Sequence, residues 1–300
     1  MSKTLRSNLM LLITAMIWGA AFVAQVSGMD HLGTFTFNFC RNIIAGVTLL
    51  LVLYFWPKIF GKPLEPVDPS KRKSTIRGGV ACGAALFFAM SFQQLGIQFG
   101  ATAGKAGFIT ALYIIIVPLL GIFLGKKVGL RLWACVALGA VGLYLLTMRG
   151  DSLRMNLGDF LILICAVLYS GHILVIDHYS PKSNGVAMSM IQFFVAAVLS
   201  AIVMIFAEKV SWEAIVNGAL PILYAGVLSS GVGYTFQILV QKDTDPTIAS
   251  LLMSLESVFA VLAGALLLGE RLTSREAIGC IIMFAAIVIA QLPSRKKAVN

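Results

Sequence analysis

Charged side chains are scarce in this sequence. Asp, Glu, Lys and Arg make up 12% of its 300 residues, whereas 59% of the residues are hydrophobic. A soluble protein of this length cannot bury so much apolar surface, because its interior is too small relative to its exterior. The composition therefore excludes a soluble globular protein and indicates a chain that is solvated by the lipid bilayer.

Residues and motifs that serve metal binding or catalysis are also few. The chain has five cysteines and three histidines, and no Cys-X-X-Cys pair occurs. This excludes a disulfide or zinc framework. A nucleotide-binding P-loop, a GxSxG elbow and an HExxH helix are missing too, so we expect no cofactor, no metal and no catalytic residue. The cysteines lie singly within apolar runs, at Cys40, Cys82, Cys135, Cys165 and Cys280.

Long apolar runs are abundant instead. A helix needs about 20 apolar residues to cross the hydrocarbon core of a membrane. The runs do not alternate as the strands of a membrane barrel would. We therefore predict an all-α polytopic membrane protein with ten transmembrane helices, at residues 7–27, 33–56, 78–99, 102–124, 130–148, 156–176, 184–207, 219–241, 246–268 and 274–292.

Lys and Arg are distributed unevenly between the two ends of these spans. If the N-terminus is cytoplasmic, the cytoplasmic segments hold 16 of the 23 basic residues and the opposite segments hold five. The positive-inside rule then predicts an integral plasma-membrane protein with both termini in the cytoplasm. This topology and anionic lipid at the inner face explain the net charge of +10, so the charge does not indicate nucleic-acid binding.

The chain contains a weak internal repeat. At an offset of 144 residues, SFQQL at 91–95 aligns with TFQIL at 235–239, and at an offset of 151 Trp18 aligns with Tyr169. The repeat predicts two five-helix units, residues 1–150 and 151–300. Because five is odd, the second unit enters the membrane inverted, and such inverted repeats surround the central site of many transporters.

Four segments carry a family resemblance: MIWGAAFVAQ (16–25), FNFCRN (37–42), GKAGFITALYIIIVPLLGIFLGKK (104–127) and SLESVFAVLAGALLLGE (254–270). They resemble the drug/metabolite transporter superfamily, specifically its EamA-domain branch. The resemblance implies ten helices, a central cavity between helices 1, 3, 4, 6, 8 and 9, and mostly export of small metabolites or amino acids. Lys126 departs from the family pattern, which commonly has Glu in this turn, and we interpret Lys126 and its counterpart Glu270 as turn and interface residues.

Polar and aromatic side chains recur at helical spacing on six predicted spans. Residues three and four apart share a helix face, and amides and phenols are costly against lipid, so these faces should turn towards protein or water. For each Gln, a hydrogen bond between helices and a place in the cavity wall both stay open. The repeat pairs Gln93 with Gln237 and favours these two. The predicted cavity and substrate-binding residues are Trp18, Gln25, Gln93, Gln94, Lys105, Tyr113, Tyr169, His172, Tyr234, Gln237, Glu256 and Ser257.

Charges inside the predicted spans require a partner or water. A carboxylate such as that of Glu256 costs about 2.5 kcal/mol or more in a membrane helix. One interpretation is a structural ion pair of Glu256 with Lys105 or Arg41. The other is that Glu256 faces a water-filled cavity, where it binds a substrate amine or carries a proton. We further predict a gating or structural role for Arg41 and a helix kink at Pro118 that serves alternating access.

These features predict a secondary transporter that exports a small metabolite, amino acid or drug by alternating access. Its expected partners are the bilayer and a small-molecule substrate, while proton coupling and a homodimer stay open. A lipid flippase of the same fold is one alternative. An intramembrane enzyme built on His172, Asp177 and His178 is a weaker one, because His172 and Asp177 are five residues apart and lie on different sides of a helix.

Overall fold

The protein is a bundle of helices that spans the membrane. The computed structural model describes residues 3–66, 68–147, 155–268 and 273–292, and every regular element in these ranges is helical. Seven of the described helices are long and apolar enough to cross a membrane, and two shorter apolar helices cover Leu130–Leu145 and Pro246–Leu262. The chain is thus an all-helical, multi-pass membrane protein, and the count of ten spans stays a prediction.

The first half of the chain forms six α-helices with short connections. Gly61 ends the second helix in the left-handed region, at φ 68°, where glycine is favoured because it lacks a Cβ atom. The Thr102 side chain caps the fourth helix by accepting a hydrogen bond from the Lys105 N–H. The helices are α1 (Lys3–Met29), α2 (Thr34–Phe60), α3 (Arg72–Gln98), α4 (Ala103–Ala111), α5 (Tyr113–Phe123) and α6 (Leu130–Thr147).

The second half forms eight α-helices and one π-helix. Asn156 and Asp159 make a capping box at its first helix, and Thr273 and Glu276 make another at its last. The π-helix covers Tyr224–Tyr234 and joins two short α-helices into one element. The α-helices are α7 (Leu157–Tyr179), α8 (Gly185–Ala207), α9 (Trp212–Asn217), α10 (Ala219–Leu223), α11 (Thr235–Gln241), α12 (Pro246–Met253), α13 (Glu256–Leu268) and α14 (Ser274–Gln291).

Two of the predicted spans are broken near their middle. α4 gives way to α5 at Leu112, and α12 gives way to α13 at residues 254–255. The predicted kink at Pro118 is not where the first of these breaks lies, since Pro118 is buried within α5. Proline removes only its own hydrogen bond to the carbonyl group four residues earlier, and α5 continues through it. The breaks place the first residues of α5 and α13 deep in the bundle.

Helices pack in pairs through small residues. α6 lies along α14, α2 along α8, and α3 along both α7 and α8. A Cβ atom added at Gly142 of α6 would lie 2.9 Å from the Gly279 carbonyl oxygen and 2.8 Å from the Met283 side chain. Interfaces between membrane helices use small residues in this way, because lipid supplies no hydrophobic force that drives helices together.

The surface of the bundle is largely apolar, and a set of polar side chains is buried within its hydrophobic interior. Phe123 and Phe206 are 86% and 87% exposed, as expected of side chains that face lipid. Arg41, Gln237 and Glu256 are each at most 3% exposed. Because polar side chains are costly against hydrocarbon, their concentration in the interior indicates where the functional site lies.

Candidate functional site

A cavity lies among α1, α2, α3, the two broken helices, α7, the π-helix and α11. The centres of water molecules fit in about 40 Å³ of it. That is room for about three waters, since one water needs roughly 10–15 Å³ by this measure. Every lining residue except Trp18 is buried. The cavity is therefore nearly closed, and a metabolite larger than a few waters requires it to widen.

Nine of the twelve predicted binding residues line this cavity, together with Arg41. The nine are Trp18, Gln25, Gln93, Tyr113, Tyr169, His172, Tyr234, Gln237 and Glu256. Three predicted residues lie outside its wall. Gln94 donates from Nε2 to the Gln25 carbonyl oxygen at 3.0 Å, and Ser257 donates from Oγ to the Gly107 carbonyl oxygen at 3.4 Å. The third is Lys105. Each of these three side chains forms a hydrogen bond or an ion pair with a neighbouring helix.

Lys105 lies at the end of a helix. It is in the first turn of α4, and its Nζ atom is 2.9 Å from Oδ2 of Asp159 in the capping box of α7. The Lys105 side chain is 20% exposed. Hydropathy places the start of the fourth span at residue 102. Lys105 lies in the first turn after that start, so its side chain reaches the end of the bundle. Lys105 thus ties α4 to α7.

Glu256 is the first residue of α13, and its partner is the first residue of α5. The Tyr113 hydroxyl donates to Oε1 of Glu256 at 3.0 Å. The predicted ion pair with Lys105 or Arg41 is not formed, because Lys105 pairs with Asp159 and Arg41 contacts neutral oxygens. Within the described ranges Glu256 has no basic partner. The helix breaks therefore bring a carboxylate and a phenol together in the cavity wall.

Arg41 reaches the cavity from α2 and meets the π-helix. Its Nε atom donates to Ser230 Oγ at 3.2 Å, while its terminal nitrogens lie 3.5 Å from Gln25 Oε1 and from Ser229 Oγ. The guanidinium carbon is 5.9 Å from the centre of the Phe37 ring. Neutral oxygens and one aromatic face thus surround this cation, and a gating role for Arg41 stays a prediction.

Aromatic and amide side chains form a hydrogen-bonded chain across the cavity. Tyr234 donates to the Tyr169 hydroxyl at 3.0 Å, and Tyr169 donates to Gln93 Oε1 at 3.3 Å. Gln93 Nε2 in turn donates to Thr110 Oγ1 at 3.1 Å. The Trp18 ring lies 4.6 Å from that of Tyr234. Gln93 therefore forms hydrogen bonds between helices and also lines the cavity. The two interpretations of this residue are compatible.

Two lining residues keep an unused polar atom. His172 Nε2 lies 3.1 Å from Gln192 Oε1, and Gln237 Nε2 donates to Gln241 Oε1 at 2.9 Å. His172 Nδ1 and Gln237 Oε1 have no hydrogen-bond partner among the described residues. A buried polar atom without a partner is costly, so such atoms point to a ligand or to water.

The residues of the enzyme alternative do not assemble into a site. Asp177 Oδ2 lies 2.6 Å from Lys126 Nζ, while His172 contacts Gln192. Across the described segments, no three His, Cys, Asp or Glu side chains come together as metal ligands. Lys126 thus forms an ion pair with Asp177 of α7, and Glu270, its counterpart in the repeat, lies outside the described residues.

Sequence analysis missed several cavity residues. Thr110 lies three residues before Tyr113 and so shares its helix face, a signal that helical spacing offered. Ser229 and Ser230 lie in the run SSGVG, which was not predicted to be part of the site. Both serines matter because the π-helix turns them to Arg41, and π-helices occur often at functional sites.

Comparisons with known proteins agree on one family. The model of the EamA-like transporter family matches residues 5–148 and again residues 156–291. A protein of Archaeoglobus fulgidus named uncharacterized transporter is 31% identical over 291 residues, which are 97% of this chain and 87% of the relative. The uncharacterized transporter YwfM of Bacillus subtilis is 24% identical over 303 residues, with 97% and 95% covered.

The fold is shared with a protein of known structure. One crystal structure superposes on 97% of this chain and 98% of its own, with a TM-score of 0.77 at 17% sequence identity. At this identity the likeness shows the fold alone. The family model covers nearly the whole chain, and the relatives align from end to end. This chain therefore belongs to the EamA-like transporter family.

Proposed function

We propose that the protein is a gradient-driven transporter that exports a small polar or amphipathic metabolite by alternating access. The observation that carries this proposal is a cavity with a buried wall that contains Glu256, which has no basic partner among the described residues. An acid kept only for structure is expected to be paired, because an unpaired buried charge is costly. An acid that binds substrate and protons alternately must not have a permanent basic partner, because that partner would occupy the carboxylate.

The packing of the helices supports two inverted units. α3 packs on α7, and the element formed by α10, the π-helix and α11 packs on α1. In the predicted repeat this element corresponds to α3, and α1 corresponds to α7. Gly142 approaches Met283, while Gly139, one turn earlier, approaches Ala286, so α6 and α14 run antiparallel. The fifth helices of two inverted units are expected to run in opposite directions. On this proposal, residues 1–150 and 151–300 form the two five-helix units.

The chain offers no site for energy from a nucleotide, since its sequence has no P-loop. Transport would therefore be driven by an ion gradient or by exchange. Glu256 is the candidate proton carrier, and Tyr113 donates to it. The other titratable groups in the same cavity wall are Arg41, Tyr169, His172 and Tyr234. Substrate transport and proton binding would then use the same carboxylate, that of Glu256.

The test is uptake into proteoliposomes of radiolabelled amino acids and amines, with and without a pH gradient. We expect Glu256→Gln to lower transport by about tenfold or more, which corresponds to about 1.4 kcal/mol. The matched control is Glu213→Gln at an exposed position, which should leave transport unchanged. Movement of a fluorescent lipid between leaflets, without movement of any solute, would instead support the flippase.

A further inference from the structure

Four hydrogen-bond donors in the cavity wall are already used. The Trp18 N–H donates to the Ser229 carbonyl oxygen at 3.0 Å, and the Tyr113 hydroxyl donates to Glu256. The hydroxyls of Tyr234 and Tyr169 donate along the chain that ends at Gln93. These four side chains therefore have no N–H or O–H group left for a ligand.

Acceptors, by contrast, remain free in the same wall. The Glu256 carboxylate has about four lone-pair positions, and among the described residues only Tyr113 donates to it. Gln237 Oε1 has no partner among the described residues. Gln192 Oε1 can only accept, so His172 Nε2 carries the hydrogen of their bond, and Nδ1 of the neutral ring is an acceptor. That Nδ1 atom is likewise unpartnered in the described part of the chain.

We propose that the cavity recognises the protonated amine of its substrate, an inference that rests on the proposed transport function. A primary ammonium has three N–H donors, which match the acceptors of Glu256, Gln237 and His172. The faces of Trp18 and Tyr234, whose ring centres are 4.6 Å apart, add attraction for a cation. Arg41 in the same wall favours an amine that is accompanied by an anionic group, because the anion offsets its charge.

The experiment measures thermal stabilisation of the purified protein by matched probes, since a ligand of the folded state raises Tm. The primary amines are ethylamine, 3-methylbutylamine and 2-phenylethylamine. Their partners are the amino acids alanine, leucine and phenylalanine, the carboxylates propanoate, 4-methylpentanoate and 3-phenylpropanoate, and the N-trimethylated amines. We expect amino acids and primary amines to raise Tm, and carboxylates and trimethylated amines to have no effect.

Two variants tie the binding to the cavity. Gln237→Leu removes one acceptor and should weaken amine binding by roughly tenfold. Gln94→Leu, outside the cavity wall, should not change it. Equal binding of carboxylates and amines, equal binding of trimethylated and primary amines, or no amine binding at all would overturn the proposal. Amine binding without uptake into vesicles would contradict transport alone, and uptake of other solutes without amine binding would contradict amine recognition alone.

A second observation concerns the ends of α2 and α8, which cap each other. Glu208, directly after α8, accepts hydrogen bonds at 2.8 Å from the backbone N–H groups of Phe35 and Thr36 in the first turn of α2. Glu65, after α2, accepts one at 2.9 Å from the Val186 N–H in the first turn of α8. At the repeat offset of 151, Phe35 aligns with Val186. The two caps are therefore counterparts at opposite ends of the helix pair.

Each of these corners also holds the end of a cavity helix. Thr34 Oγ1 donates to Oε1 of Gln98, the last residue of α3, at 2.8 Å. At the other corner Glu65 forms an ion pair with Lys242, the residue that follows α11. At the repeat offset of 144, Gln98 aligns with Lys242. α3 carries Gln93 and α11 carries Gln237, so both contacts restrain helices that line the cavity.

We infer that the Thr34–Gln98 and Glu65–Lys242 contacts are latches at opposite ends of the bundle, an inference that also rests on alternating access. Both are formed in this structure, whose cavity is nearly closed. Release of one latch frees the end of one cavity helix and opens the cavity to that side. The other latch keeps the opposite side closed.

The test uses a cavity cysteine, Ala21→Cys, in a chain whose five native cysteines are replaced by alanine. Labelling by a membrane-impermeant maleimide is measured from each side of oriented vesicles. Lys242→Met, or Glu65→Gln, which keeps an oxygen for the Val186 N–H, should raise labelling roughly fivefold from the side of residues 61–66. Thr34→Val should raise it from the other side.

Lys182→Met, an exposed change outside both corners, is the control and should leave labelling unchanged. The inference is overturned if the latch variants raise labelling from the same side or from neither. If the wild type takes up solute into vesicles, such a result contradicts the latches alone and leaves the transport proposal standing.

Discussion

Tyr113 and Glu256 show how single residues carry the site. Each begins the second half of a broken helix, and the phenol donates to the carboxylate at 3.0 Å. The carboxylate sits in the first turn of α13, where the N-terminal end of a helix favours negative charge. The hydrogen bond from Tyr113 and the N-terminal end of α13 thus stabilise the Glu256 carboxylate, which has no basic partner among the described residues.

Tyr113→Phe removes the donor to Glu256 and keeps the ring. We expect a loss of stability of about 1.5–3 kcal/mol, the usual contribution of a hydrogen bond to a charged group. Thermal unfolding in detergent measures it, with Tyr54→Phe as the exposed control. Equal stability of Tyr113→Phe and the wild type would mean that the hydroxyl does not support the carboxylate.

At the scale of elements, small residues decide which helices touch. Gly142 of α6 faces the backbone of α14, where the Gly279 carbonyl oxygen would lie 2.9 Å from an added Cβ atom. Backbone atoms cannot move aside as a flexible side chain can, so the approach of α6 to α14 requires glycine. Gly171 in α7, by contrast, has nothing within 4 Å of such an atom.

The pair Gly142→Ala and Gly171→Ala therefore separates packing from helix propensity. Alanine favours a helix over glycine by about 1 kcal/mol, so Gly171→Ala should be neutral or stabilising. Gly142→Ala should instead destabilise the protein by about 1–3 kcal/mol, because it overpacks the interface. Melting temperatures of the two variants check this, and a stabilising Gly142→Ala would contradict the packing of α6 on α14.

At the scale of the whole molecule, the distribution of basic residues predicts orientation. Lys62 and Glu213 are both exposed and follow different helices. If both termini are cytoplasmic, Lys62→Cys lies inside the cell and Glu213→Cys outside. An impermeant maleimide added to intact cells should then label only the cysteine at 213. Labelling of both positions would contradict ten spans in two inverted units.

Much of the site followed from the sequence because helical spacing and the cost of polar groups in lipid act locally. Trp18 and Gln25 lie on one face of a helix by their spacing alone, and that face had to turn inwards. The same logic included Gln94, Lys105 and Ser257, which lie outside the cavity wall. Spacing shows that a face is polar, but it does not show which neighbour that face meets.

The sequence by itself determined that the chain enters a membrane as helices, since hydropathy depends on each segment alone. Only the tertiary structure decided that Lys105 pairs with Asp159 and leaves Glu256 to Tyr113. It also decided that the fourth span breaks at Leu112, away from Pro118. These outcomes depend on how each helix is rotated and how deeply it is set against its neighbours, which follows from packing of residues far apart in the chain.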